Sequence, residues 1–179
     1  MGPVCKMYSK KFLIDNKIEF LNTTASEDIY FNVLAYSNNP KINIITDTGY
    51  YYCYTSTSIS NTLHKGFNQN VDIIGLVTAI NYKNIENVEL NQYFIIRYLI
   101  WYLLYSGKGA SSKDFMHEYD KLFKWLKNNI PNYRKNKYIH FKPKGEFRHI
   151  HLLIHIFIIL DKIKLVKLFS KIYCRGGVK

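Results

Sequence analysis

Residues 41–57 read KINIITDTGYYYCYTST. Ile42, Ile44 and Thr46 alternate before Asp47-Thr48-Gly49, and Tyr50, Tyr52 and Tyr54 alternate after it. Alternation at a period of two marks a strand with one covered face. β-branched and aromatic residues suit that pleated surface, and an Asp–Gly segment between two such arms turns a hairpin. This stretch decides the expected fold class: α+β. An N-terminal half containing the β-hairpin packs on a helix hairpin, and a basic C-terminal strand/helix segment ends the chain.

Working outward, residues 28–36 (DIYFNVLAY) are apolar and β-leaning, and residues 8–21 fit a strand pair turning at Asp15-Asn16 or a short helix. After the hairpin the period changes. Residues 58–67 begin a short helix capped by Ser58 or Ser60 and ended at Gly66. Residues 70–81 form a helix with Asn70 as its cap and Asp72 in the first turn, where the helix dipole favours an anion. The stretch 91–107 (NQYFIIRYLIWYLLYSG) is apolar all round except for Arg97. Crossing a bilayer takes about 20 apolar residues, so 92–105 reads as a buried core helix with Arg97 snorkelling outward or paired.

Residues 112–129 form the clearest helix. Phe115, Met116, Tyr119, Leu122, Phe123 and Leu126 recur at spacings of three and four, the spacing of one helix face. Ser111 with Asp114 resembles a capping box, and Pro131 stops the helix. Helices 92–105 and 112–129 pair as an antiparallel hairpin. Residues 1–130 are thus expected as a mixed α+β core, with the hairpin at 41–57 and helices at 70–81, 92–105 and 112–129. Residues 131–179 follow as a basic, aromatic-rich segment and a terminal amphipathic helix packed on the same domain.

Charge is distributed unevenly over these parts. Residues 121–179 carry fifteen Lys and Arg against two acids, Glu146 and Asp161, while residues 1–120 carry ten against eleven. The net +12 therefore arises wholly from the last third, which points to a polyanionic partner. Within it, 132–149 interleaves cations with Tyr and Phe. As a strand it places Tyr138, His140 and Lys142 on one face and Ile139 and Phe141 on the other. Further on, Lys164, Lys167 and Lys171 share one face of the terminal helix, opposite Leu165, Leu168, Phe169 and Ile172. Cations neutralise phosphates and release counterions, and aromatic faces stack on unpaired bases. The expected nucleic-acid-binding residues are Arg134, Lys135, Lys137, Tyr138, Lys142, Lys144, Arg148, Lys164, Lys167, Lys171 and Arg175. The competing readings are a solvated basic face, and a basic helix that meets an anionic membrane surface or an acidic protein.

Other chemistries lack their residues. His149, His151 and His155 stand at spacings of two and four, which put no three on one helix face, and no carboxylate set accompanies them. Neither a metal nor another cofactor is expected. SGKGAS (106–111) lacks the phosphate-loop spacing, and no grouping of nucleophile, base and acid emerges, so neither an enzyme nor a small-molecule substrate is expected. Cys5, Cys53 and Cys174 are odd in number and far apart, which fits a reducing intracellular compartment rather than a disulfide framework. The first ten residues lack the apolar run of a signal peptide, and neither secretion nor membrane spanning is expected. The abundance of Asn, Ile, Lys and Tyr is what AT-rich coding produces without a functional cause.

Two short stretches resemble known families. Residues 50–67 (YYYCYTSTSISNTLHKGF) resemble the strand-then-helix heart of viral KilA-N DNA-binding domains through Thr57, Ile59, Leu63 and Phe67; the Trp expected after Phe67 is missing. Residues 99–116 resemble the helix–GK–helix piece of the small-subunit ribosomal protein that binds the 3′ major domain, through Leu103, Gly107 and Lys108. There the small residue opening the second helix and the arginine-rich hairpin are missing. Neither stretch assigns membership. Both resemblances imply nucleic-acid binding: RNA within a large ribonucleoprotein such as an organelle ribosome, favoured over the DNA of a large virus.

Overall fold

A computed structural model of the chain describes residues 5–23, 26–51, 53, 66–68, 70–83 and 85–174. Within them the alternating stretch that suggested a hairpin forms no strand, and no strand occurs anywhere among the described residues. The α+β expectation is therefore corrected: every regular element described is helical. Ile42, Ile44 and Tyr50 stand exposed, Ile44 at 82%. Strand propensity is mostly packing against covered neighbours, and a lone two-stranded hairpin is marginal in water. Here the first arm covers nothing. Tyr52 and residues 54–57 of the second arm lie outside the described residues, as do residues 58–65 of the short helix expected next and most of the KilA-N-like stretch.

Two compact units form, Met1–Ser58 with Gln69–Glu86, and Ile59–Asn68 with Asn87–Lys179. In the first, α1 (Lys10–Asp15), α2 (Glu27–Ser37) and α3 (Ile73–Asn81) carry the structure. The β-leaning stretch 28–36 is helix α2. Glu27 and Asp28 sit in its first turn, where they favour the dipole. Tyr30, Phe31, Leu34 and Ala35 are buried, and α2 packs on α3. Phe31 stacks on Phe20 and meets the edge of Tyr8, whose hydroxyl donates to Asn32. The cap of α3 is Asp72 rather than Asn70, its carboxylate accepting from the Gly75 amide at 2.8 Å.

The second unit is built around α4 (Val88–Gly107), 20 residues long and so about 30 Å. Ile95, Ile96, Leu99, Ile100 and Leu103 are fully buried in it, as the all-round apolar pattern requires. Arg97 is paired: its Nε lies 2.6 Å from a carboxylate oxygen of Glu146. No described helix is long and apolar enough to cross a membrane. Gly107 ends α4, and a Cβ there would lie 2.4 Å from the buried Phe115 ring. That near-contact lets α5 (Ser112–Asn129) pack against α4. Ser111 caps α5, accepting from the Asp114 amide at 3.1 Å while donating to the Asp114 carboxylate.

Beyond α5, a 3-10 turn (Tyr133–Lys135) leads to α6 (Lys137–His140), α7 (Arg148–Lys162) and α8 (Val166–Tyr173). Two sequence expectations fail here. Residues 138–142 are not a strand: Asn136 caps α6 through the Tyr138 amide, and Lys142 follows in a turn. The carbonyls of Tyr138 and Ile139, left unpaired by so short a helix, accept from ring nitrogens of His151 and His155 on α7. The C-terminal helix is also not continuous. Leu165 N–H bonds to the Leu160 carbonyl and Lys164 N–H to that of Asp161, with Lys164 at φ +60°. This is a Schellman stop with lysine in the position glycine usually takes.

Substituting Gly107→Ala should cost about 1–3 kcal/mol, because Phe115 has no space to retreat into. Urea unfolding followed by circular dichroism checks this.

Candidate anion-binding cleft

One buried carboxylate joins α5, the 3-10 turn and α7. Asp161, near the end of α7, has a side chain only 1% exposed. Tyr119 of α5 donates to one of its oxygens at 2.6 Å. Tyr133 at 2.6 Å and Arg134 Nε at 2.8 Å, both from the 3-10 turn, donate to the other. Burial by itself raises a carboxyl pKa; the bonds from Arg134, Tyr119 and Tyr133 outweigh it and hold Asp161 below its ordinary value. The same contact pushes both tyrosine hydroxyls well above their usual range, burial first and the bond to Asp161 second.

Around this anchor opens a cleft of about 260 Å³. Lys127 enters from α5, Arg134 from the 3-10 turn, Lys162 from α7, Lys164 from the Schellman turn and Lys167 from α8; Met116, Tyr119 and Val166 complete the lining. Five cations thus face one carboxylate, and that carboxylate already accepts three donors. The surplus positive charge is left for whatever enters. Asp161 itself is committed to three hydrogen bonds within the fold.

The structure gathers the expected binding residues only in part. Arg134, Lys164 and Lys167 line the cleft. Lys164 does not share a helix face with Lys167 and Lys171: the αL turn removes Lys164 from α8, while Lys167 and Lys171, four residues apart on α8, keep a common exposed flank. The apolar face proposed opposite them is also misplaced. Val166, Phe169, Ser170 and Tyr173 turn inward, while Leu165, Leu168 and Ile172 are exposed. Lys137 pairs with Glu89, whose hydrogen bond raises the lysine's pKa. Tyr138 is half-buried against Tyr93. Lys142 donates to the Pro143 and Glu146 carbonyls. Lys135, Lys144 and Arg148 are exposed. Arg175 lies outside the described residues. The cleft adds Lys127 and Lys162, which the sequence reading passed over. The available signal was Asp161, the one acid in a basic and apolar tract, since such an acid needs donors and draws cations around it.

Neither His151 nor His155 is free for a ligand through its bonded nitrogen, and among the described residues no group of three or more His, Cys, Asp or Glu could hold a metal ion. No family model, curated protein or solved structure matches the chain.

The folded state holds Asp161 ionised more firmly than the unfolded chain does. Its stabilisation is therefore full above the unfolded carboxylate pKa of about 3.9 and is lost as pH falls through the lower folded value. Asp161→Asn should cost about 3 kcal/mol at pH 7. The wild-type advantage over this variant should shrink as pH falls below about 4, measured by urea midpoints from pH 7 to pH 2.

Proposed function

We propose that this chain is a non-enzymatic nucleic-acid-binding protein that grips the phosphate backbone in the cleft around Asp161. The observation that carries this reading is the convergence of Lys127, Arg134, Lys162, Lys164 and Lys167 from four helical segments and a turn onto one opening. A randomly solvated basic surface gives no reason for such convergence. Single-stranded RNA, as in a large ribonucleoprotein, is the preferred partner. Phe141 and Phe147 stand exposed at 75% and 68% in the loop that holds Lys142 and Lys144, and exposed rings beside cations stack unpaired bases. Duplex DNA has no bases to offer them. A reducing intracellular setting suits the three cysteines, free in this structure.

The backbone at Lys164 separates binding from structure. A lysine at φ +60° is strained where glycine is not. Lys164→Gly should therefore raise stability by about 1 kcal/mol while weakening RNA binding. A residue kept for structure alone would not divide the two effects in this way.

The test is fluorescence anisotropy with a labelled single-stranded RNA over a salt series. Log affinity should fall linearly with log salt, by about 0.7 in slope per phosphate contact. Replacing Lys127, Lys162 and Lys167 together with Gln should weaken binding and flatten that slope by about 2. The same changes at Lys135 and Lys144, away from the cleft lining, should do less. An unchanged slope in the triple variant removes the cleft from the interface, and no binding at low salt ends the proposal.

A further inference from the structure

Helix α7 has two apolar sides. Ile154, Phe157 and Ile158 are buried. At 100° per residue the opposite side carries Leu152, Ile156, Ile159 and Ile163, all exposed. Their spacing of four, three and four is that of a helix seam that receives a second helix. No Lys, Arg, Asp or Glu interrupts residues 149–160. Beside this stripe an open groove of about 370 Å³ runs between α7, α8 and Leu104 of α4. Its α8 wall is Phe169 and Tyr173. The next positions outward on that side of α8 are Leu168 and Ile172, the latter 78% exposed. An apolar surface this continuous on a folded protein marks an interaction site.

The rim decides what the site takes. Arg148 edges the stripe on α7 and Lys171 borders Leu168 on α8, both exposed, whereas Lys162 and Lys167 belong to the cleft. The one acid of the two helices, Asp161, is buried beneath Tyr119, Tyr133 and Arg134. A second copy of this chain, at net charge +12, would set cations against cations. A flat lipid surface would leave the groove unfilled. A helix with one apolar row flanked by Asp and Glu fills the groove, matches the seam and neutralises the rim.

We infer that the exposed face of α7 and α8 docks an acidic amphipathic helix of a partner protein. This surface lies on the opposite flank of α8 from Lys167 and the cleft, so the two sites can be occupied together and lost separately.

The experiment uses the full chain at about 0.15 M salt, a concentration at which contacts beyond about 8 Å are screened. The probes are two labelled helical peptides with Leu at the seam positions, one with Glu and one with Lys at the flanking positions. The Glu peptide should bind at least tenfold more tightly than the Lys peptide. Ile156→Asp should weaken it at least tenfold, with unchanged helical content and unchanged RNA affinity. Leu168→Asp, on the other helix, should do the same and guards against a local folding defect at Ile156. Four results would overturn the inference. One is equal affinity for both peptides. A second is Glu-peptide binding that RNA displaces and Ile156→Asp leaves alone, which places the peptide in the cationic cleft. A third is capture by phosphatidylserine vesicles, sensitive to Ile156→Asp, without peptide binding. The last is a dimer in light scattering that Ile156→Asp dissolves.

Discussion

Asp161 is where the C-terminal half of this protein is fastened. Its two oxygens accept from Tyr119, Tyr133 and Arg134, and those donors come from α5 and from the 3-10 turn. One carboxylate thus ties α5, the 3-10 turn and α7 to one another. A buried charge is tolerable only when its partners are in place, so these donors must assemble together. The consequence is electrostatic as well as mechanical. The one acid lining the cleft is consumed internally, and among the described residues Lys127, Lys162, Lys164 and Lys167 make no ion pair.

The second constraint is the break between α7 and α8. Without the left-handed residue at 164, Lys164 would continue along one helix with Lys167 and Lys171, as their spacing alone suggests. The stop instead folds α8 back against α4 and α5, where Ser170 meets Ser112 and Tyr173 donates to the Leu104 carbonyl. α8 then divides two unlike surfaces, a cationic cleft on one flank and an apolar groove on the other. The same device recurs after α1, where Lys17 takes φ +51° and Ile18 bonds back to Leu13.

Much of the helical framework was legible. Residues 112–129 had a capping pair, a clean three–four spacing and a proline stop, and these are local features that packing does not override. The all-round apolar character of α4 announced burial in the same way. What misled was any signal whose meaning depends on a distant partner. Alternation at 41–57 is a strand only if something covers one face. Residues 28–36 look β-leaning by composition, yet the face formed by Tyr30, Phe31 and Leu34 fits α3 as a helix. The Schellman stop carries no glycine, so the sequence does not display it. The cleft was half visible as an excess of lysine, but which lysines converge depends on that unadvertised turn and on hydrogen bonds to Asp161 from residues 27 to 42 positions away.

The outward side of α7 has a further consequence, for how the protein keeps company with itself. Leu152, Ile156, Ile159 and Ile163 remain on the surface after folding is complete. At low ionic strength the repulsion between molecules bearing twelve surplus charges holds those faces apart. Added salt shortens that repulsion to a few ångströms while leaving apolar attraction intact. Salt therefore acts in opposite senses on the two flanks of α8: it screens the cations of the cleft and leaves the attraction between bare apolar grooves in place.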